Sequence, residues 1–220
     1  MFKLMKMDWS AIKYYYKNFL FIPITLLAAG WFSSIYLVPF GVFLLFSFAT
    51  NSFAVEEKGD LNRFYLTLPV KRSMVVGGRY ALSFVLYVGG VLLGTALMPL
   101  ANLYSLSKWY PDFSWMLALL SFSFLLYSLM SLAMYPVLFR LGYQKGKMWG
   151  YYVPAIAICL IYCAVVEYDT IVRGGTLVLD LLVYASEHML AVSGGMLALG
   201  AVLLGGSYLL SVRWYERREF

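Results

Sequence analysis

Few residues in this chain have the type and spacing that catalysis needs. His188 is the only histidine, so neither an HExxH zinc site nor a His-based triad with a second His can be built. No G-x-S-x-G elbow occurs. Cys159 and Cys163 stand four apart in an apolar run, on one helix face, where thiols behave as small buried hydrophobes. They support neither a disulfide framework nor a zinc site. The string from Gly142 through Gly146 and Lys147 to Met148 comes near a phosphate-cradling loop. It is one residue short and lacks the hydroxyl that such a loop places on Mg²⁺. Glu167 and Asp169 stand at the end of an apolar run, as solvated end groups or as part of a substrate vestibule. The sequence therefore predicts no catalytic residue, no metal ligand and no cofactor bound by this chain. If ATP drives it, another chain supplies the site.

The elements that hold these residues are set by composition. Of 220 residues, 62% are hydrophobic and 13% charged, against about 45–50% and 25% in soluble domains; mean hydropathy is +0.76. That excludes a soluble enzyme, a disordered tail and a secreted disulfide scaffold. The expected fold is an all-α polytopic membrane protein. No charge occurs over residues 18–55, about 57 Å of helix. This is two crossings of a core about 30 Å thick, parted near Trp31–Tyr36 and Pro39. Further charge-free runs cover 80–107, 113–139, 148–166 and 189–212, which makes six helices.

Six crossings put both termini on one side. With that side cytoplasmic, all 17 basic residues except Lys108 and Arg173 face inward, as the positive-inside rule demands. The net charge of +6 is thus a membrane signature, and nucleic acid is not an expected partner. Trp109, Tyr110, Trp149, Tyr151, Trp214 and Tyr215 gather near the run ends, as an aromatic belt does.

Residues 1–17 read differently. Lys3, Lys6, Ser10, Lys13 and Lys17 form one helical stripe and Phe2, Met5, Trp9, Ile12 and Tyr16 the apolar one. Such a helix lies in the membrane interface, as a topogenic anchor or as an elbow that braces a cytoplasmic partner. The domain plan is this helix over 1–17 and a single transmembrane domain over 18–220. Segment 167–188 would be an outer loop whose middle, 176–184, is interfacial or re-entrant and too short to span. The spacing of Gly90 and Gly94, and of Gly194, Ala198, Ala201 and Gly205, suits close helix approach, within the chain or at a dimer seam.

The informative segment is the cytoplasmic loop 56–73. Asp60 is a good N-cap and Pro69 ends the turn at Leu68. Between them Leu61, Phe64, Tyr65 and Leu68 share one apolar face. Lys71 and Arg72 follow, and Ser73 caps the next helix. Two turns are unstable alone in water, so this face packs on its own domain or docks into a groove of a partner.

The order Glu56-Glu57, Leu68-Pro69-Val70-Lys71-Arg72, then Arg79, within a six-helix layout with an amphipathic N-terminus, resembles the short ABC-2-type permeases of bacteria. Small members of that family include exporters of amphipathic toxin peptides. The resemblance implies that loop 56–73 carries a coupling helix, with Asp60, Leu61, Phe64, Tyr65, Leu68, Pro69, Lys71 and Arg72 meeting a separate ABC ATPase subunit that holds ATP and Mg²⁺. It implies a second permease copy or paralogue across the transport path, a bacterial plasma membrane, and a cavity whose candidate lining is Tyr87, Tyr127 and Tyr162. The expected function is ATP-driven export of amphipathic or hydrophobic peptides, drugs or lipids. The alternative is the six-helix substrate-binding component of an importer, which needs convergent polar residues near one membrane face.

Overall fold

The computed structural model describes residues 9, 21–58, 72–173 and 176–217. Segments 1–17, apart from an exposed Trp9, and 59–71 lie outside the described residues, so the interfacial helix and the helix through Leu61, Phe64, Tyr65 and Leu68 receive no description. What is described is helical, with one isolated bridge between Ser33 and Ser107. In chain order the helices are α1 (Phe21–Gly30), α2 (Leu37–Lys58), α3 (Arg72–Tyr104), α4 (Phe113–Leu141), α5 (Tyr143–Lys147), α6 (Val153–Arg173), α7 (Thr176–Glu187) and α8 (Met189–Glu216). A 3-10 turn, Ser34–Tyr36, precedes α2, and a π turn, Met148–Tyr152, precedes α6. The charge-free run 18–55 divides where expected, although Pro39 falls in the first turn of α2, where a proline's missing N–H costs nothing. Among the described residues four helices are long and apolar enough to span a bilayer: α2 with its leading turn, α3, α4 and α8.

These four form the bundle. One apolar cluster joins Ile22 and Leu26 of α1 to Leu37, Val38 and Leu45 of α2 and to Leu82, Leu86 and Met98 of α3. A second joins Phe46 and Phe53 of α2 to Val76 and Tyr80 of α3, Tyr135 and Phe139 of α4, and Tyr215 of α8. The tightest seam is α2 against α3. A methyl built on Gly90 would lie 2.8 Å from the Gly41 carbonyl oxygen, and one on Gly94 2.7 Å from the Val38 Cα. The small residues of α3 therefore pack within the chain. On α8, nothing comes within 4 Å of a methyl built on Gly194 or Gly205.

Three sequence expectations need correction. The third apolar helix opens at Arg72, one residue before its expected cap Ser73 and eight before the charge-free run that begins at 80, because Val75, Val76 and Arg79 are buried among the ends of the other helices; Ser73 lies inside its first turn and caps nothing. Within segment 167–188, residues 167–173 and 176–187 are helical rather than loop, as the end of α6 and all of α7. Cys163 is exposed on α6 instead of buried. Asp169 is buried and Glu167 exposed; His188 is exposed between α7 and α8, stacked on Tyr184.

Candidate functional site

The basic end of the bundle, which carries Arg72, Arg140, Lys145, Lys147, Arg213 and Arg217, is where α2 stops and α3 starts. Leaving Phe53 behind, α2 carries Glu56 onto the same face three residues later. Glu56 accepts a hydrogen bond from Arg79 of α3 in a buried ion pair. The Arg79 guanidinium lies 4.0 Å over the Phe53 ring and 5.7 Å from the Phe139 ring of α4, an arrangement that suits its planar, weakly hydrated charge. A lone charge at 2% exposure would be severely destabilising; pairing is what allows it there.

Glu57 points to another neighbour. Its Oε2 accepts from the backbone N–H groups of Tyr143 at 2.6 Å and Gln144 at 3.0 Å. Those are among the donors that the start of a helix leaves unmatched, so a carboxylate from α2 caps α5. The path from α4 into α5 turns at Gly142, whose φ of 80° suits glycine. On the other side, Arg72 Nη1 donates to the carbonyls of Tyr215 at 3.3 Å and Glu216 at 2.7 Å. A cation at the carbonyl end of α8 also meets the favourable end of its dipole. Arg140 lies 5.1 Å over the Trp214 ring and Phe139 edges onto Tyr215 at 5.2 Å. Both feet of segment 59–71 are thus fastened to the ends of α4, α5 and α8.

Of the eight residues that the resemblance sets against an ATPase, only Arg72 is described. Asp60, Leu61, Phe64, Tyr65, Leu68, Pro69 and Lys71 lie outside the described residues, and the Tyr162 side chain does too. Tyr127 is fully buried, bonded to Ser83 at 2.9 Å and stacked on a half-buried Tyr87 at 4.8 Å. Tyr127 therefore belongs to the packing of this chain and opens onto no surface of it. Beside it Tyr80 bonds Ser207 at 2.6 Å and Ser211 at 2.8 Å, so α3 and α8 are joined by hydroxyls. The partners of Glu57 and Arg72 are backbone groups far along the chain, which no residue pattern advertises.

Concave apolar surface lies at the opposite end. A cavity of about 320 Å³ is lined by residues that include Tyr36, Pro39, Trp115, Phe122, Met189 and Met196. A second, of about 560 Å³, shares Tyr36, Pro39 and Phe122 with it and adds Phe40 and Phe43. Nearly all of this lining is hydrocarbon or aromatic, suited to an apolar occupant. Among the described residues no three of His, Cys, Asp and Glu gather as metal ligands would.

Set against known proteins, residues 3–216 match the family model for ABC-2 family transporter proteins. Neither a curated protein nor a solved structure matches the chain.

Proposed function

The chain belongs to the ABC-2 transporter family and is a membrane component of an ABC transporter; from that premise we propose that it is the permease subunit of an exporter whose work is driven by a separate ABC ATPase. In this reading the basic end is cytoplasmic, α1 and α6 supply the crossings beyond the four long apolar helices, and both termini lie inside the plasma membrane of a bacterium. Segment 59–71 holds a coupling helix whose face, Leu61, Phe64, Tyr65 and Leu68, seats in a groove of the ATPase. ATP and Mg²⁺ act in the ATPase, and its closure displaces the coupling helices of two paired permeases and rocks them between access states. The cargo is an amphipathic or hydrophobic peptide, for which the aromatic concavity at the outer end offers a matching surface. The open small-residue stripe of α8, Gly194, Ala198, Ala201 and Gly205, is available for the second permease.

The observation that carries the reading is the fastening of both feet of segment 59–71. Force applied between α2 and α3 meets Glu56, Glu57, Arg72 and Arg79, each bonded to another helix or to the turn beside it, so it cannot dissipate in a loose loop. The test is Tyr65→Ala with Leu68→Ala. Apolar anchors at small interfaces commonly cost about 2 kcal/mol on truncation, roughly 30-fold in affinity. The double variant should insert and melt like the wild type yet lose its ATPase. A stable variant that captures the ATPase at wild-type affinity refutes the coupling role.

A further inference from the structure

Four contacts at the basic end tie α2 and α3 to one another or to α4, α5 and α8, and every one starts within eight residues of segment 59–71. Glu56 reaches Arg79 across the α2–α3 seam. Glu57 holds the first N–H groups of α5. Arg72 holds the last carbonyls of α8. Arg79 also stacks between Phe53 of α2 and Phe139 of α4. The Glu57 and Arg72 contacts are charge-assisted and made to backbone. They therefore hold the course of a helix end, not the rotamer of one side chain.

We propose that Glu57 and Arg72 are positioning residues that fasten the ends of α2 and α3 to the α4–α5 turn and to the end of α8, so that these helix ends move as one plate when the coupling segment is displaced. The inference rests on the coupling reading above and adds to it the route of transmission. Glu57 is the outgoing link to α5, and through the π turn 148–152 to α6; Arg72 is the link to α8. The Glu56–Arg79 pair, with Phe53 and Phe139, is the rigid hub that keeps α2 and α3 from sliding past one another. Burial supports this division of labour. Glu56 and Arg79 are 6% and 2% exposed, the hub of a packed core, whereas Glu57 and Arg72 are half-buried at its rim, where a link can be cut without leaving a charge stranded inside.

The experiment uses the full-length permease with its ABC ATPase, in a background without Cys159 and Cys163. A single cysteine at position 145, on α5, or at 217, just past α8, reports through its rate of reaction with a maleimide. Rates are compared without nucleotide and after trapping with ATP and vanadate. Nucleotide should change the rate at both positions by about fivefold or more, the lower end of couplings between distant sites. Glu57→Ala should abolish the change at 145 and spare that at 217; Arg72→Ala should do the reverse. Glu57→Gln, which keeps an acceptor oxygen, should restore most of the response at 145. ATPase capture should remain at wild-type level in the Glu57 variants, since Glu57 is outside the set that meets the ATPase; for Arg72→Ala the response is read on the captured complex alone. A purely structural role would lower melting temperature and leave the nucleotide response intact. The inference is overturned if both positions still respond in the variants, if each variant silences both positions alike, or if neither position responds in the wild type. Failure of the coupling reading shows elsewhere, as undiminished ATPase capture by Tyr65→Ala with Leu68→Ala. Should Glu57→Ala not fold, Arg72→Ala carries the comparison, with the response lost at 217 and kept at 145; any other pattern overturns the inference.

Discussion

Replacing Gly94 by alanine adds one methyl group at the α2–α3 seam, and the geometry fixes what that methyl meets. It would stand 2.7 Å from the Val38 Cα, 2.8 Å from the Leu37 carbonyl oxygen and 3.0 Å from the Leu37 carbonyl carbon. All three are backbone atoms, so no rotamer change relieves the contact. Ordinary contact begins at 3.4 Å, so α2 and α3 must part locally by about 0.7 Å. A gap of that size forfeits about a quarter to a half of each dispersion contact along the seam. Dispersion matters here because lipid removes the hydrophobic drive for helix association. Overpacking of this kind costs about 1–3 kcal/mol; for a chain of this length each kcal/mol is about 2–4 °C of melting temperature. The internal control is Gly205→Ala on α8, where nothing lies within 4 Å and alanine favours the helix by about 0.5–1 kcal/mol. Thermal unfolding of the two purified variants in one detergent should therefore separate them, Gly94→Ala melting lower than wild type and Gly205→Ala at or above it. Adding Val38→Ala should not rescue Gly94→Ala, since the clash is with the α-carbon. Equal melting of the two glycine variants, or full rescue by Val38→Ala, refutes the reasoning.

The Glu56–Arg79 pair should behave as a coupled unit: Arg79→Met alone should cost about 3–5 kcal/mol by stranding a buried carboxylate. Converting Glu56 to methionine as well should recover most of that loss, and additive losses in the same unfolding assay would contradict it. Cysteines at 108 and 173 should react with an impermeant maleimide in intact cells and those at 58, 71 and 145 only after permeabilisation, with outside labelling of 71 the contrary result. The purified chain alone should hydrolyse no ATP, and contaminant-free turnover would remove the need for a partner ATPase.

Composition and charge placement were enough to determine the class of this protein, because a bilayer filters so strongly. A charge-free run either fits the hydrocarbon or does not, and basic residues are retained on one side. The break near residues 31–36, the apolar character of the long helices and the family resemblance through Glu56, Glu57, Leu68-Pro69 and Arg79 were all legible from local pattern. Three things were not. Arg72 and Ser73 read as the end of the loop and the cap of the next helix; both lie in the first turn of α3, where Arg72 reaches the last carbonyls of α8. Gly90 and Gly94 of α3 are in backbone contact with α2, whereas methyls built on Gly194 and Gly205 of α8 meet open space; small-residue spacing describes a face and says nothing of what covers it. Tyr127 had the right type and depth for a cavity wall but is sealed by Ser83 and Tyr87. Local sequence dictates which stretches become helices and which faces are apolar. Which distant backbone atoms meet Glu57 and Arg72 is decided only when the helices pack, because such contacts join groups that every residue carries.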